Sequence, residues 1–479
     1  MNRRFIFYTL GKIMEVLAAI LLIPMLVGFI YQEKAAFIYL GVAIATFIAG
    51  YIISRKKPIK TKIFSREGFV IVAFTWILVS LIGALPYTLS GDIPSYIDAV
   101  FETVSGFTTT GSSILPDIEA LNQCNLFWRA FTHWIGGMGI LVFVVAILPE
   151  SQGNTLHILK AEIPGPVVGK LVSKIKITAR ILYYIYAALT LAEVVFLLLG
   201  GMPLFDSITT AFATAGTGGF SCRGASIAAY NSAYIDYVVT IFMILFGINF
   251  NLYFYILIRR AKLAFGSEEL HWYLGIILTV AILITFNTAH LYESILTSFR
   301  YAIFQVASII TTTGFITYDY TKWPQFSQFL LMLLMFVGAS AGSTGGGIKI
   351  SRIIIFFKSG ISECKKALHP HAVTTVQFEG KNVEKNTISS IHNYFALYIL
   401  IFAISLILIS FNNLDFASSF SAVSTCLNNV GPGLGVVGPV DNFASLADFS
   451  KIILSFDMLA GRLEIFPILL LFSKQLWVK

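Results

Sequence analysis

Four stretches of this sequence run through apolar and hydroxyl-bearing residues and stop at a glycine. They are DAVFETVSGFTTTG at Asp98–Gly111, DSITTAFATAGTGG at Asp206–Gly219, YAIFQVASIITTTG at Tyr301–Gly314 and SSFSAVSTCLNNVG at Ser418–Gly431. A small side chain (Ser105, Ala213, Ser308 or Thr425) stands six places before each glycine. No carboxylate falls in the last four residues before any of them. The chemistry that suits such segments is coordination by backbone carbonyls. Glycine accepts the backbone angles that aim a carbonyl at a common point, and rings of carbonyls replace the hydration shell of a dehydrated monovalent cation. Hard anionic ligands would instead favour divalent ions. A preceding Thr can add a hydroxyl oxygen.

The elements that must position these loops follow from hydropathy. The chain is 57% hydrophobic and only 12% charged, far outside the range of soluble domains. Ten apolar stretches approach the length needed to cross a bilayer, near 13–31, 35–53, 69–90, 126–148, 181–200, 235–258, 273–290, 328–357, 392–411 and 452–473. Lys and Arg gather at Arg55 to Arg66, Lys160 to Arg180, Arg259 to Lys262 and Arg352 to Lys385, whereas the connectors 91–124, 201–234 and 411–450 hold only Arg223. This alternation is the positive-inside signal. It places both termini in the cytoplasm and argues against nucleic-acid binding as the reason for the formal charge of +8. Each glycine segment sits in an outer connector and is too short to span. Non-helical backbone at that depth is tolerated only where protein buries it or water and ions line it. The repeat of span, short re-entrant helix, loop and span occurs four times, and such repetition implies pseudo-symmetry about an axis. The expected fold is all-α and polytopic, with ten transmembrane helices and four re-entrant helices in a channel-like pseudo-fourfold arrangement. The units are 1–60 (a peripheral two-helix unit), 61–156, 157–265, 266–385 and 386–479.

Two further features need partners. The eighth span is interrupted by Gly338–Lys349, whose five glycines with Ser and Thr cannot form a lipid-facing helix. Gly342 to Lys349 nearly fits a phosphate-binding loop but misses by one residue, and no strand precedes it. Arg462 lies inside the last span and must face a cavity or a partner, either a structural one such as Asp457 or Glu464 or the glycine-rich segment. Glu102 reads as a prop behind the first loop, His133 as a packing residue, and the glycines of WIGGMG at Trp134–Gly139 as sites of close helix contact. Cys124, Cys222, Cys364 and Cys426 show no metal-ligand or redox spacing, and Cys426 could pack behind a functional loop. No catalytic constellation stands out, so the chain does not read as an enzyme.

The four loop units, the WIGGMG run, NNVGPGLG around Gly431 and GSTGGGIK at Gly342–Lys349 resemble the Trk/Ktr/HKT superfamily of potassium transporters over essentially the whole chain. The two extra N-terminal spans look like its TrkH/TrkG branch. The resemblance implies potassium uptake across a bacterial cytoplasmic (inner) membrane, with K+ as cargo and no organic cofactor. The filter would comprise Thr109, Thr110, Gly111, Thr217, Gly218, Gly219, Thr312, Thr313, Gly314, Asn429, Val430 and Gly431. It implies a gate of Gly342, Gly345, Gly346, Gly347, Lys349 and Arg462. It also implies a homodimer embedded in lipid, with a cytosolic TrkA-type regulatory subunit that binds NAD(H) or ATP/ADP; the basic loops 157–180 and 358–385 are candidate docking surfaces. The alternative is a sodium-conducting or H+- or Na+-coupled symporter of the same family; Gly111 in place of Ser favours potassium.

Overall fold

Apolar runs bounded by capping residues become helices along most of the chain. The computed structural model describes residues 2–58, 65–139, 175–371 and 374–474. The second half of the fourth expected span, 140–148, and most of the basic loop at 157–180 lie outside the described residues. Among the described residues, six helices are long and apolar enough to cross a bilayer: Arg3–Ile30, Ala35–Ser54, Arg66–Ser90, Ala179–Leu199, Glu268–Leu291 and Lys385–Asn412. The pair Ala233–Phe246 and Phe250–Leu257, bent by 88°, makes a seventh if taken as one span. Among the described residues, the β-structure is a two-stranded hairpin, Gln377–Phe378 with Lys381–Asn382.

Two of the expected continuous spans are therefore broken. The sixth stops at Phe246 and resumes at Phe250, where the Asn249 side chain accepts from the amide of Asn251 at 3.0 Å. The last runs Asp448–Arg462 and then Phe466–Leu471, with Glu464 and Ile465 at φ of 56° and 68° between them. The eighth is interrupted where the glycines predict, between Gln325–Val337 and Ile350–Leu368.

The four glycine segments form short helices, Tyr96–Phe107, Leu204–Gly216, Ile295–Ile310 and Phe416–Asn428. At about 1.5 Å per residue none reaches across a hydrocarbon core of about 30 Å. The first, third and fourth begin at side-chain caps: Ser95 accepts from Asp98, Ser294 from Leu296 and Asp415 from Ser418. Ion pairs tie repeat to repeat. Lys451 meets Asp98 at 2.6 Å, joining fourth to first, and Arg300 meets Asp236 at 3.4 Å, joining third to second.

The N-terminal helices pair through Gly11 and Gly50, where an added Cβ on either would lie 2.8 Å from the other's carbonyl oxygen. They also reach the first repeat. Glu33, in the turn between them, accepts from the amides of Gln123 and Cys124 at 2.6 and 3.0 Å. It thereby caps helix Gln123–Gly137, whose own cap residue Asn122 makes no such bond. Tyr39 adds a bond of 2.7 Å to Asn125. Glu33→Ala is expected to cost about 1–2 kcal/mol, the usual loss for a helix cap. A lower melting temperature of the detergent-solubilised protein, with uptake per folded molecule retained, is the outcome to look for.

Candidate functional site

The four short helices end in one and the same way. The residue two before each glycine, Thr109, Thr217, Thr312 or Asn429, adopts left-handed backbone with φ of 56°, 55°, 58° and 56°. Its amide bonds three residues back, to Gly106, Thr214, Ile309 and Cys426 respectively. The next amide, of Thr110, Gly218, Thr313 or Val430, bonds to the carbonyl of Ser105, Ala213, Ser308 or Thr425 at 2.8–2.9 Å. These are the positions that the sequence marks by a small side chain, and the pattern is a Schellman closure. Threonine or asparagine replaces the usual glycine at the left-handed position, and left-handed non-glycine backbone stores about 1–3 kcal/mol at each site. The degenerate loops, GTGG and NNVG, share this backbone with the two TTTG loops.

Each closure turns its glycine to positive φ: 83° at Gly111, 76° at Gly219, 80° at Gly314 and 100° at Gly431. The glycines then meet their neighbours in cyclic order. A Cβ on Gly111 would lie 2.0 Å from the carbonyl oxygen of Gly218, one on Gly219 1.9 Å from that of Thr313, one on Gly314 2.3 Å from that of Val430, and one on Gly431 2.8 Å from that of Thr110. First meets second, second meets third, third meets fourth, and fourth returns to first. The residues that precede the glycines are buried. Among the described residues, no hydrogen bond ends on the two carbonyls preceding any of these glycines. Buried carbonyls almost always find a partner. A closed ring of such carbonyls, free of carboxylates, can coordinate a dehydrated monovalent cation.

Side chains brace the ring from behind. Arg129 and Glu102 form a buried pair at 2.8 Å. Glu102 also accepts from Ser113 and from the amide of Ile114, both at 3.0 Å, while Arg129 donates to the carbonyl of Ser221 at 3.1 Å and lies over Phe220. One ion pair thus anchors the chain just beyond the first two loops. His133 packs its ring on Phe220 and against Gly218, where an added Cβ would lie 2.0 Å from Nδ1. A Cβ on Gly136 would lie 1.9 Å from the carbonyl oxygen of Phe107, and one on Gly137 2.7 Å from Cα of Gly216, so these glycines seat the helix ends of the first two loops. The Asn429 side-chain amide donates to Thr110 Oγ1 and to the carbonyl of Met458, both at 2.9 Å. Cys426 lies 3.8 Å from Ser112 behind the first and fourth loops. In the connector 201–234, burial pushes the Cys222 thiol up to about 11.

The irregular segment Gly338–Lys349 touches the ring directly. The Gly346 amide donates to Thr312 Oγ1 at 2.6 Å, and the Gly347 amide to the carbonyl of Asn428 at 2.9 Å. A Cβ on Gly345 would lie 3.0 Å from the carbonyl oxygen of Thr311, and one on Gly346 2.4 Å from that of Asn428. Gly342 lies against Asn249, and its carbonyl accepts from the Phe250 amide at 3.0 Å. The break in the sixth span is therefore the socket of the irregular segment. Lys349 is buried at φ 81° and folds its ammonium back onto the carbonyl of Gly345. Arg462 donates to the carbonyls of Thr344 at 2.8 Å and Gly137 at 2.7 Å, and also to Gly136. Of the two structural partners considered for it, Glu464 pairs with Arg352 and Asp457 accepts from Ser405. The sequence reading thus finds residues that the fold brings together, and misses the left-handed threonines, Arg129 and the breaks at 247–249 and 463–465. Arg129, an arginine inside an apolar run, is the one it had a signal for.

A family model described as TrkH, cation transport protein, matches residues 34–272 and 269–477. The Trk system potassium uptake protein TrkH of Salmonella typhimurium is 37% identical over 485 residues, covering 100% of both chains. The Trk system potassium uptake protein TrkG of Escherichia coli is 34% identical, covering 95% of this chain and 94% of that one. Among solved structures, the crystal structure of the potassium transporter TrkH from Vibrio parahaemolyticus superposes with a TM-score of 0.90 at 32% identity, covering 100% of both chains.

The ring geometry makes a direct prediction. Gly219→Ala puts a methyl group where the Thr313 carbonyl stands and adds strain at positive φ. Rubidium flux into vesicles is expected to fall by about tenfold or more, as 1.4 kcal/mol of lost coordination would produce, while Gly224→Ala, which meets nothing within 4 Å, keeps its flux.

Proposed function

We propose, from the premise that this chain belongs to the TrkH family of cation transport proteins, that it takes up potassium through the ring made by its four glycine loops. The single observation that carries this reading is the cyclic order in which each glycine clears room for the next loop's carbonyl. Carbonyl rings without carboxylates match the coordination of potassium, and the relatives bear the name of potassium uptake proteins. In this reading Thr109–Gly111, Thr217–Gly219, Thr312–Gly314 and Asn429–Gly431 supply the oxygens.

The segment with Gly342, Gly345, Gly346, Gly347 and Lys349 serves as the gate. It abuts the ring on one side, and Arg462 holds it through Thr344. An arginine and a lysine beside the path also oppose a cation while the segment is in place. Ten crossings of the bacterial cytoplasmic membrane, with both termini inside, accommodate the interrupted spans as crossings and leave the basic connectors in the cytoplasm. The units 61–156, 157–265, 266–385 and 386–479 each contribute one loop, and 1–60 flanks them. The term "Trk system" in the relatives' names fits assembly with partner subunits. A homodimer and a cytosolic TrkA-type subunit binding NAD(H) or ATP/ADP follow from the family resemblance.

Potassium-limited growth of an uptake-deficient host tests the reading. Wild type is expected to restore growth. Gly111→Ser, whose side chain would meet the Gly218 carbonyl, is expected to lose the rescue or to leak sodium. Failure of well-expressed wild type, even with a regulatory subunit supplied, would sink the potassium assignment.

A further inference from the structure

The hairpin Gln377–Asn382 belongs to the basic connector between Ile350–Leu368 and Lys385–Ile409, and it is clamped onto the start of helix Glu268–Thr288. At its turn Glu379 accepts from Ser267 Oγ at 2.7 Å and from the Glu269 amide at 3.0 Å. The Glu379 amide returns a bond to Glu268 at 3.3 Å. Lys358 closes the other side, pairing with Glu268 at 2.5 Å and donating to the carbonyl of Gln377 at 2.9 Å. Glu269 then reaches the opposite way. Its carboxylate, buried, accepts from the amide of Ala341 at 2.7 Å, inside the irregular segment. One residue along, the Ser340 amide bonds the carbonyl of Gly247.

An unbroken chain of contacts therefore runs from a hairpin at the end of the molecule, through the first turn of a long helix, to the segment beneath the ring. Phe378 is buried in one cluster with Ile350, Ile354 and Ile391, so the hairpin packs with the helix that leaves the segment. Around it Gln377, Lys381 and Asn382 remain exposed. A buried carboxylate spent on one backbone amide fixes position, since that amide belongs to a segment with almost no regular structure of its own.

We propose that Glu269 is a positioning residue of the gate, and that the hairpin turn at Glu379 is a latch that holds Glu269 in place and, through it, Ala341. The inference rests on the reading of Gly338–Lys349 as the gate. Glu379 holds the amide and the serine at 267–269, Glu269 holds Ala341, and loss of either link frees the segment.

The test uses full-length protein in liposomes without any partner. Glu379→Ala and Glu269→Ala are each expected to raise rubidium uptake about tenfold, within the usual range of coupling between sites. The double variant should exceed neither, because the two links act in series. Glu269→Gln keeps an oxygen for Ala341 and is expected to stay near wild type. A structural readout accompanies the flux. With Cys364→Ser removing the exposed thiol, a Ser343→Cys probe is expected to react faster with an impermeant thiol reagent once Glu379 is replaced. Deletion of 342–346 serves as the open reference. If the deletion raises uptake while Glu379→Ala, equally well folded, changes neither uptake nor probe reactivity, the gate stands and the latch falls. Should the deletion also leave uptake unchanged, the gate reading itself falls and takes the latch with it.

Discussion

Each of the four glycines leaves space that a carbonyl of the next loop fills, and the rest of the molecule is arranged around that mutual clearance. Approaches of 1.9–2.8 Å to an added Cβ leave no room for a side chain. Four short helices must therefore end within a few ångströms of one another, each in the same closed turn. Their outer flanks are drawn in by the same means. Gly136 and Gly137 accept the ends of the first two helices, and Gly461 lets Asp448–Arg462 lie against the carbonyl of Leu427. Where the rigid ring needs a strut, a buried charge pair supplies it, as with Arg129 and Glu102. A lone member of such a pair would be costly to bury, so the pair fixes both strands at once.

The irregular segment obeys a different constraint. With few internal bonds, its backbone groups must find partners outside it. They do so on every side: Gly247 and Phe250 at the broken sixth span, Glu269 at a helix start, Thr312 and Asn428 at the ring, and Arg462 from the last span. Two spans give up helical continuity in the process. The break at 247–249 frees the carbonyl of Gly247 and the amide of Phe250 to bond Ser340 and Gly342. The break after Arg462 accompanies Glu464 turning to Arg352.

How much of this was legible in the sequence follows from what each feature depends on. The glycine segments and the interruption at Gly338–Lys349 are local, set by composition over a few residues, and they stand where expected. Of the ten expected spans only the eighth reads as interrupted, yet the sixth and the last are broken as well. Ala233–Leu257 and Asp448–Leu471 are apolar enough to pass as single helices, and their breaks are decided by partners about a hundred residues away in the chain. The left-handed threonines were hidden for the opposite reason: propensity speaks against them, and only the closure of the ring holds them there. Glu33 and Glu269 look like ordinary acidic residues at turns and helix starts. Nothing local tells that one caps a helix ninety residues on and the other holds a loop.

The two constraints differ in stiffness, and under the proposed function that difference lets selection and gating coexist in one path. The ring is held by sterics and by four closed turns whose bonds lie within each loop, so no loop can relax without rebuilding its own backbone. The segment below is held by a handful of hydrogen bonds to other elements, each worth about 0.5–1.5 kcal/mol net. Releasing several of them costs a few kcal/mol, the scale of coupling that a bound partner supplies. Glycine at Gly342, Gly345, Gly346 and Gly347 keeps alternative backbone paths open without side-chain clashes. Under the proposed function, a path built this way opens and closes by rearranging the segment while the ring keeps its geometry.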